Sequence, residues 1–466
     1  MLFRLPSFLW RRTRHRLHVR LRTLLYVTIG GLLFAWLCLP YDNTIRLAIR
    51  FNVKRIQAAL GGRPSENWVF APPRRPINLR EDALVIVKTG YGTQQRVQAW
   101  FESLSDKSEL HDFLLVGDYT SQPHKHFVYR GQELPVHDVV NQTLSQKVLS
   151  NQQMHPRVIK YQELTAAIES GDKEHSLELA KSSGWELDAL KFISALELAY
   201  AKFPYKKWFI LVDDDTYLIQ PSLKQFLSQL DAEHPYYLGN VVGSFSARFA
   251  HGGSAIILSH KTMRNLLLKN QPVVSRAHSE TLSEPWGDRL LARTLIRTGV
   301  FLDERWSHLF SGETPRLSKI RADRFCSPIL SFHSLHSPKE MVATGKLYQD
   351  VKKPVLWIDL WEMFRAPAPW RSGVQTVRQN WDHVGDPETG DPSTVSTVWY
   401  GVKTADECAK KCKTHSKVCM AWAWSPKFGN QCRVSPWMTV GHEAEHVQSG
   451  FNEPRVKKLE MNCFPY

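Results

Sequence analysis

The chain has 466 residues, of which 43% are hydrophobic and 23% are charged, and its formal net charge is +15. This composition indicates a globular protein with two or three domains and excludes a largely disordered chain. Seven arginines and no acidic residue occur within the first 22 residues. Because no basic helix with interleaved aromatic residues follows, the charge does not favour nucleic-acid binding.

The amino-terminal region has an uncharged, apolar stretch at residues 23–41. Its length lies near the lower end of the ~17–25 residues that a membrane-spanning helix needs, and the preceding arginines would keep the amino terminus in the cytosol. A cleaved signal peptide is the alternative, but its apolar core is usually shorter and no small-residue cleavage site follows. We therefore expect a basic cytosolic tail at 1–22, a transmembrane signal anchor at 23–41 and a stem at 42–80.

The next region, residues 81–350, is predicted to form an α/β domain. Apolar runs typical of buried strands begin at Ala83 and Phe113. Helical segments follow them, which indicates a mainly parallel sheet.

A helix is predicted just before the central strand. Ser183 to Glu186 has the spacing of a capping box, so we expect a helix that starts there and runs to about Phe203, where a proline follows. Trp185 and Asp188 are interpreted as ordinary packing and surface residues.

Three consecutive carboxylates follow the most apolar strand of the domain. Trp208 to Val212 reads as a strand buried on both faces, and Asp213, Asp214 and Asp215 come directly after it. Ligand sites in α/β sheets open at the carboxyl ends of strands, and hard divalent cations prefer oxygen ligands. An acidic, solvated turn is the alternative interpretation. The apolar strand favours a metal or nucleotide site.

Three later features lie within the same domain. The adjacent Gly252 and Gly253 would let the backbone approach a ligand closely, although a tight turn into the next strand is the alternative. Asp288 stands at a predicted helix start, where an acid is most often a dipole-stabilising cap. His333 follows a further apolar run, and in isolation it would be a surface residue.

The sequence Val-Asp-Asp-Asp-Thr-Tyr at 212–217 resembles the DxD element of the family 31 glycosyltransferases, which include Fringe, the core 1 β1,3-galactosyltransferases and fungal members. Lys-Thr-Gly at 88–90, Gly-Gly at 252–253, Trp-Gly-Asp at 286–288 and Phe-His at 332–333 follow the order of that family. Many members carry Glu-Asp-Val where this chain has Pro-Trp-Gly-Asp. That form resembles the fungal branch and leaves Glu284 as an alternative to Asp288.

The resemblance implies a GT-A-like, Rossmann-type nucleotide-sugar transferase domain over residues 81–350. It also implies a metal-dependent, inverting enzyme that moves galactose or N-acetylglucosamine from a UDP-sugar to a glycan or glycoprotein acceptor, with a β1,3 linkage expected. The expected location is the Golgi membrane, as a single-pass type II protein with a lumenal catalytic domain.

The same resemblance assigns roles to individual residues. Asp288 is the expected general base. The divalent cation, Mn²⁺ or another, is expected at Asp213, Asp215 and His333, and His333 fits the motif better than His336. The nucleotide-sugar is expected at Lys88, Thr89, Asp213, Asp214, Gly252 and Gly253.

A linker at 351–398 and a separate module at 399–466 are predicted for the end of the chain. Five of the seven cysteines lie in its last sixty residues, and in a lumenal protein this favours disulfides over a metal site. Four cysteines allow three connectivities. Their C-x3-C-x6-C-x12-C spacing resembles the α+β PAN/Apple fold, which implies Cys408–Cys432 and Cys412–Cys419. Cys463 is left over, with Cys326 as its candidate partner.

Two alternatives belong to other functional classes. One is a catalytically inactive transferase-like scaffold that binds glycan or protein through the Apple-like module, and the other is a secreted lectin. The intact carboxylates argue against an inactive domain, because a binding scaffold has no chemical need for them.

Overall fold

A computed structural model describes residues 7–60, 66–145, 152, 154–244, 248–364, 368, 377–385, 396–415 and 418–463. It contains an α/β domain and a smaller carboxyl-terminal region with its own sheet. The strands before residue 340 are β1 (Ala83–Lys88), β2 (Phe113–Gly117), β3 (Phe127–Tyr129), β4 (Gln132–Leu134), β5 (Val136–Asp138), β6 (Trp208–Asp213), β7 (Tyr217–Leu218), β8 (Tyr237–Gly239), β9 (Val241–Val242), β10 (Phe249–Ala250), β11 (Ile256–Ser259), β12 (Ile320–Arg321) and β13 (Ser331–Phe332). The strands after it are β14 (Val377–Asp382), β15 (Thr397–Trp399), β16 (Ala421–Ser425), β17 (Gln431–Ser435), β18 (Trp437–Met438) and β19 (His442–Phe451).

The helices up to the central strand are α1 (Ser7–Cys38), α2 (Thr44–Leu60), α3 (Leu79–Asp82), α4 (Gln95–Glu102), α5 (Val139–Ser145), α6 (Pro156–Ser170), α7 (Lys173–Asp188) and α8 (Lys191–Lys202). The later helices are α9 (Gln220–Leu227), α10 (His260–Lys269), α11 (Gln271–Glu280), α12 (Gly287–Arg297), α13 (Pro338–Tyr348), α14 (Leu360–Met363), α15 (Ala405–His415), α16 (Lys427–Asn430) and α17 (Glu453–Met461).

The main sheet has the strand order β5-β2-β1-β6-β11-β8. Strands β5, β2, β1 and β6 are parallel, whereas β11 is antiparallel to both β6 and β8. The predicted parallel arrangement is therefore confirmed for four strands, and β11, which runs in the opposite direction, makes the sheet mixed.

Both faces of this sheet are buried, which explains the uninterrupted apolar runs of its strands. Because side chains alternate along a strand, Val85 and Val87 pack into one apolar cluster, whereas Leu84 and Ile86 pack into another on the opposite face. Strand β6 lies at the centre, beside β1, with Asp213 in register with Lys88. The carboxyl ends of these two strands therefore meet at one edge of the sheet.

The helix predicted to begin at Ser183 begins earlier. Helix α7 starts at Lys173, where the Asp172 carboxylate accepts a hydrogen bond from the backbone N–H of His175 at 3.0 Å. Ser183 therefore lies inside α7, and the predicted capping box is wrong. The helical segment is interrupted at residues 189–190, and α8 then runs from Lys191 to Lys202.

Helix α2 lies within the predicted stem and packs against the α/β domain. The Lys54 ammonium is 3.3 Å from the Glu304 carboxylate, and the Arg50 guanidinium lies 3.8 Å from the centre of the Phe301 ring. This part of the predicted stem is therefore a docked helix.

None of the helices within the described residues is long and apolar enough to cross a membrane. The transmembrane span predicted at 23–41 is thus not confirmed.

The carboxyl-terminal region forms an antiparallel sheet with the strand order β14-β19-β16-β17-β15. Its cysteines form Cys408–Cys432 and Cys412–Cys419, and Cys326 is bonded to Cys463. The two pairs that the cysteine spacing implied are confirmed, and the candidate partner Cys326 is the one bonded to Cys463.

The boundary of this region differs from the prediction in two ways. Strand β14 lies inside the predicted linker 351–398 and pairs with β19, so the sheet starts well before residue 399. The region is also not a separate packing unit, because β18 pairs with β12 of the α/β domain. Apolar side chains from the two regions, such as Phe325 and Phe451, belong to one continuous cluster.

Candidate active site

The acidic triplet lies at the carboxyl edge of the main sheet, as predicted. Asp213 is the last residue of β6, and its backbone N–H donates to the Thr216 hydroxyl at 3.2 Å. The Thr216 hydroxyl donates in turn to the Gly253 carbonyl at 2.6 Å. These bonds join the acidic turn to the glycine pair.

Asp213, Asp215 and His333 come together in one cluster. One potential ligand atom from each lies within 4.8 Å of the other two, and the His333 Nε2 is 3.2 Å from Asp215 Oδ1. Asp213 Oδ1 and Asp215 Oδ1 are buried but accept no well-aligned hydrogen bond. Two carboxylates and an imidazole are ligand types that fit a divalent cation such as Mn²⁺. These are the three residues predicted to hold the metal.

Electrostatic interactions favour the ionised form of Asp215. Burial alone would raise the pKa of this carboxyl, but the hydrogen bond from His333 and the positive charge of Arg96 lower it to about 2. His336 contributes as well, with its Nδ1 2.8 Å from Asp215 Oδ2. The sequence analysis ranked His336 below His333 as a metal ligand, and it did not predict that Arg96 contacts the acidic triplet.

Asp214 points away from the cluster and binds the end of β1. Its carboxylate accepts hydrogen bonds from the hydroxyls of Thr89 at 2.7 Å and Thr93 at 2.6 Å. Burial raises the pKa of Asp214 to about 6. Of the residues predicted to bind nucleotide, Thr89 and Asp214 therefore contact each other and hold the turn in place.

Lys88 sits in a buried network of alternating charges. Its ammonium lies 2.8 Å from Asp213 Oδ1 and 2.8 Å from Asp188 Oδ2. Burial alone would lower the pKa of Lys88, but these two carboxylates raise it. Lys191 lies 3.0 Å from Asp118 and extends the network. Lys88 thus compensates the charge of the acidic triplet.

Asp188 is a member of this network that the sequence interpretation missed. It was taken as a surface residue, yet it forms the second ion pair of Lys88. A local signal is its spacing to Lys191, three residues further along the chain.

The glycine pair brings the histidine and the predicted base together. A Cβ atom at Gly253 would lie 2.1 Å from His333 Nε2, so only glycine leaves room for the imidazole. The Gly252 N–H donates to Asp288 Oδ2 at 3.0 Å. Neither glycine has a positive φ. Space, and not backbone conformation, is the reason for both.

Asp288 lies in the first turn of α12, as predicted, and Oδ1 accepts a hydrogen bond from the Arg289 N–H at 2.8 Å. Burial raises the pKa of this carboxyl. The alternative acid, Glu284, is buried and pairs with Arg289 and Arg293. These ion pairs occupy Glu284, whereas the hydrogen bonds that Asp288 accepts come from the backbone N–H groups of Gly252 and Arg289.

Comparison with known protein families places this site within a recognised domain. Residues 164–354 match the family model described as Fringe-like, and this stretch includes the acidic triplet, the glycine pair, Asp288 and His333. No curated protein matches the chain. This part of the chain is therefore similar to Fringe-like proteins.

Proposed function

We propose that the protein is a metal-dependent, inverting glycosyltransferase that moves a sugar from a UDP-sugar to a hydroxyl group of a glycan or glycoprotein. The observation that carries this proposal is the cluster of Asp213, Asp215 and His333 at the carboxyl end of β6, inside the Fringe-like region. The donor set of two carboxylates and an imidazole, converging within 4.8 Å at the end of a buried strand, is typical of a divalent-cation site.

The chemistry follows from the positions of the side chains. Bound to Asp213, Asp215 and His333, a divalent cation would supply positive charge for the departing diphosphate. Asp288 takes the proton of the acceptor hydroxyl while the oxygen bonds to the anomeric carbon and the bond from that carbon to the UDP oxygen breaks. Attack on the face opposite the leaving group inverts the anomeric centre. The raised pKa of Asp288 suits this role, because it makes the carboxylate a stronger base.

Finer assignments rest on the family 31 resemblance. Galactose and N-acetylglucosamine are the proposed donor sugars, with a β1,3 linkage, and the carboxyl-terminal region is proposed to be PAN/Apple-like. The nucleotide is proposed to lie near Lys88 and Thr89.

Three disulfides support a lumenal location for the described domains, since disulfides persist in oxidising compartments.

The test is hydrolysis of a panel of UDP-sugars by the purified protein, with Mn²⁺ and with EDTA. We expect Mn²⁺-dependent release of UDP from one donor. Asp215→Asn should lower both Mn²⁺ affinity and turnover, because it removes a charged ligand, whereas the exposed carboxylate variant Asp350→Asn should change neither. Unchanged turnover in EDTA, or in Asp215→Asn, would refute the metal assignment.

A further inference from the structure

We infer that two exposed tryptophans, Trp185 and Trp286, form a platform that binds a sugar ring of the acceptor. This inference rests on the proposed transferase function and names the chemistry of its second substrate: a pyranose ring with one apolar face. The tryptophans lie far apart in the sequence, on α7 and just before α12.

Their exposure is unusual among the tryptophans of this part of the molecule. Trp185 is 63% exposed and Trp286 is 45% exposed. Between residues 66 and 364, Trp306 is partly buried and the remaining described tryptophans are buried: Trp68, Trp100, Trp208, Trp357 and Trp361. Exposing so large an apolar ring gives up the stabilisation of burial, so two such rings near one site indicate a ligand.

Trp286 adjoins the proposed base. It precedes Gly287 and Asp288, whose carboxylate accepts a hydrogen bond from Gly252. The Trp286 indole is stacked on the Phe249 ring, with 6.2 Å between the ring centres. The Arg289 guanidinium lies 5.0 Å from the centre of the Trp286 ring. These contacts hold the exposed ring in one orientation next to the base.

Trp185 adjoins the charge network that reaches the metal cluster. Asp188 lies one helical turn further along α7, and its carboxylate is 2.8 Å from Lys88, which also contacts Asp213. The side chain of Asp188 remains 36% exposed. It can therefore accept a hydrogen bond from a sugar hydroxyl while it holds Lys88.

The two segments touch each other. A Cβ atom at Gly287 would lie 2.9 Å from the carbonyl oxygen of Ala189, the residue after Asp188. Trp185, one helical turn before Ala189, and Trp286, the residue before Gly287, therefore lie on segments that contact each other, each within three residues of an acid. Indole rings that pack on the C–H face of a pyranose, beside carboxylates that accept its hydroxyls, are a fitting environment for a sugar.

The acceptor is the substrate that this position favours. Asp288 must contact the acceptor hydroxyl, and Trp286 lies two residues before it, whereas the diphosphate of the donor belongs at the metal cluster. A platform for the acceptor should affect acceptor binding and leave the donor reaction with water unchanged.

The experiment measures transfer from the UDP-sugar that the wild-type protein hydrolyses to methyl glycosides of galactose, N-acetylgalactosamine, N-acetylglucosamine, mannose and fucose. Trp185→Ala and Trp286→Ala are compared with Trp185→Phe and Trp286→Phe. The matched control is Tyr205→Ala, which removes an aromatic ring that is 68% exposed. Tyr205 precedes the amino-terminal end of β6, whereas the acidic triplet lies at the carboxyl end. Thermal unfolding of each variant confirms that it is folded.

We expect the acceptor KM to rise about tenfold in each alanine variant, to recover in the phenylalanine variants and to stay unchanged in Tyr205→Ala. Donor KM and UDP-sugar hydrolysis should not change. Unchanged acceptor KM in both alanine variants, or an equal loss in donor hydrolysis, would overturn the inference. Absence of transfer to every methyl glycoside by a protein that hydrolyses a UDP-sugar would also overturn it. Absence of hydrolysis of any UDP-sugar would instead refute the proposed function on which it rests.

Discussion

The substitution Gly253→Ala should dismantle the proposed metal site without changing a metal ligand. The added Cβ would lie 2.1 Å from His333 Nε2 and 2.5 Å from two carbons of the same ring. The backbone itself tolerates alanine, because Gly253 does not have a positive φ. The imidazole must therefore move.

The size of the effect follows from these distances. The Cβ is about 1.3 Å short of the 3.4 Å at which ordinary contact begins, whereas metal–ligand distances are held within ~0.2 Å. His333 would lose its position beside Asp215, from which it is now 3.2 Å away. We expect Mn²⁺ affinity to fall by ~10–100-fold, as for other changes that disorient a ligand. An off-rotamer imidazole costs only ~0.5–1.5 kcal/mol of stability.

Calorimetric titration of Mn²⁺ in the presence of UDP measures the affinity, and chemical denaturation measures the stability. Gly184→Ala is the control, because nothing lies within 4 Å of a Cβ at this helical position. In the double variant Gly253→Ala/His333→Ala the clash is gone, so stability should recover while Mn²⁺ affinity stays low. Wild-type Mn²⁺ affinity in Gly253→Ala would refute the proposed role of His333.

Three further predictions concern other parts of the molecule. Asp288→Asn should lower the transfer rate by ~10²–10⁴-fold while Mn²⁺ and UDP still bind. The wild-type rate should fall as pH falls through the raised pKa of Asp288, and the variant should lack this dependence. Near-wild-type transfer by the variant would contradict this. Replacing Cys326 and Cys463 by serine should lower the free energy of unfolding by ~2–5 kcal/mol in chemical denaturation. Unfolding should remain a single transition, because both regions share one apolar cluster. Separate unfolding of the carboxyl-terminal region would argue against this prediction. Burial lowers the pKa of His383 to about 4. The free energy of unfolding should therefore fall by up to about 3 kcal/mol as the pH falls from 6.5 to 4, because only the unfolded chain binds a proton at this histidine in that range. If His383→Gln left the pH dependence of the unfolding free energy unchanged, this would count against the prediction.

Local patterns in the sequence were sufficient to predict several strands and the position of the acidic triplet. An uninterrupted apolar run such as Trp208–Val212 must be buried on both faces, and the carboxylates after it must then emerge at the edge of the sheet. The pairs Cys408–Cys432 and Cys412–Cys419 followed from cysteine spacing through a family resemblance, and the structure confirms them.

Local patterns were misleading at the start of α7. The sequence analysis considered only Ser183 as the helix start, whereas the hydrogen bond from His175 to Asp172 shows that the helix begins earlier. A capping residue is recognised by its neighbours alone, so the sequence cannot rank two helix starts within one long helical segment.

The interactions that complete the site were decided by tertiary structure. The ion pair between Lys88 and Asp188 joins residues one hundred positions apart, and the need for glycine at 253 arises from a histidine eighty positions later. Nothing in the local sequence marks either contact, since both exist only once β1, β6, α7 and the turn after β13 pack together. The sequence by itself determined which chemical groups gather at the sheet edge. Packing decided which of them contact one another, because the positions of buried charges depend on partners brought from distant parts of the chain.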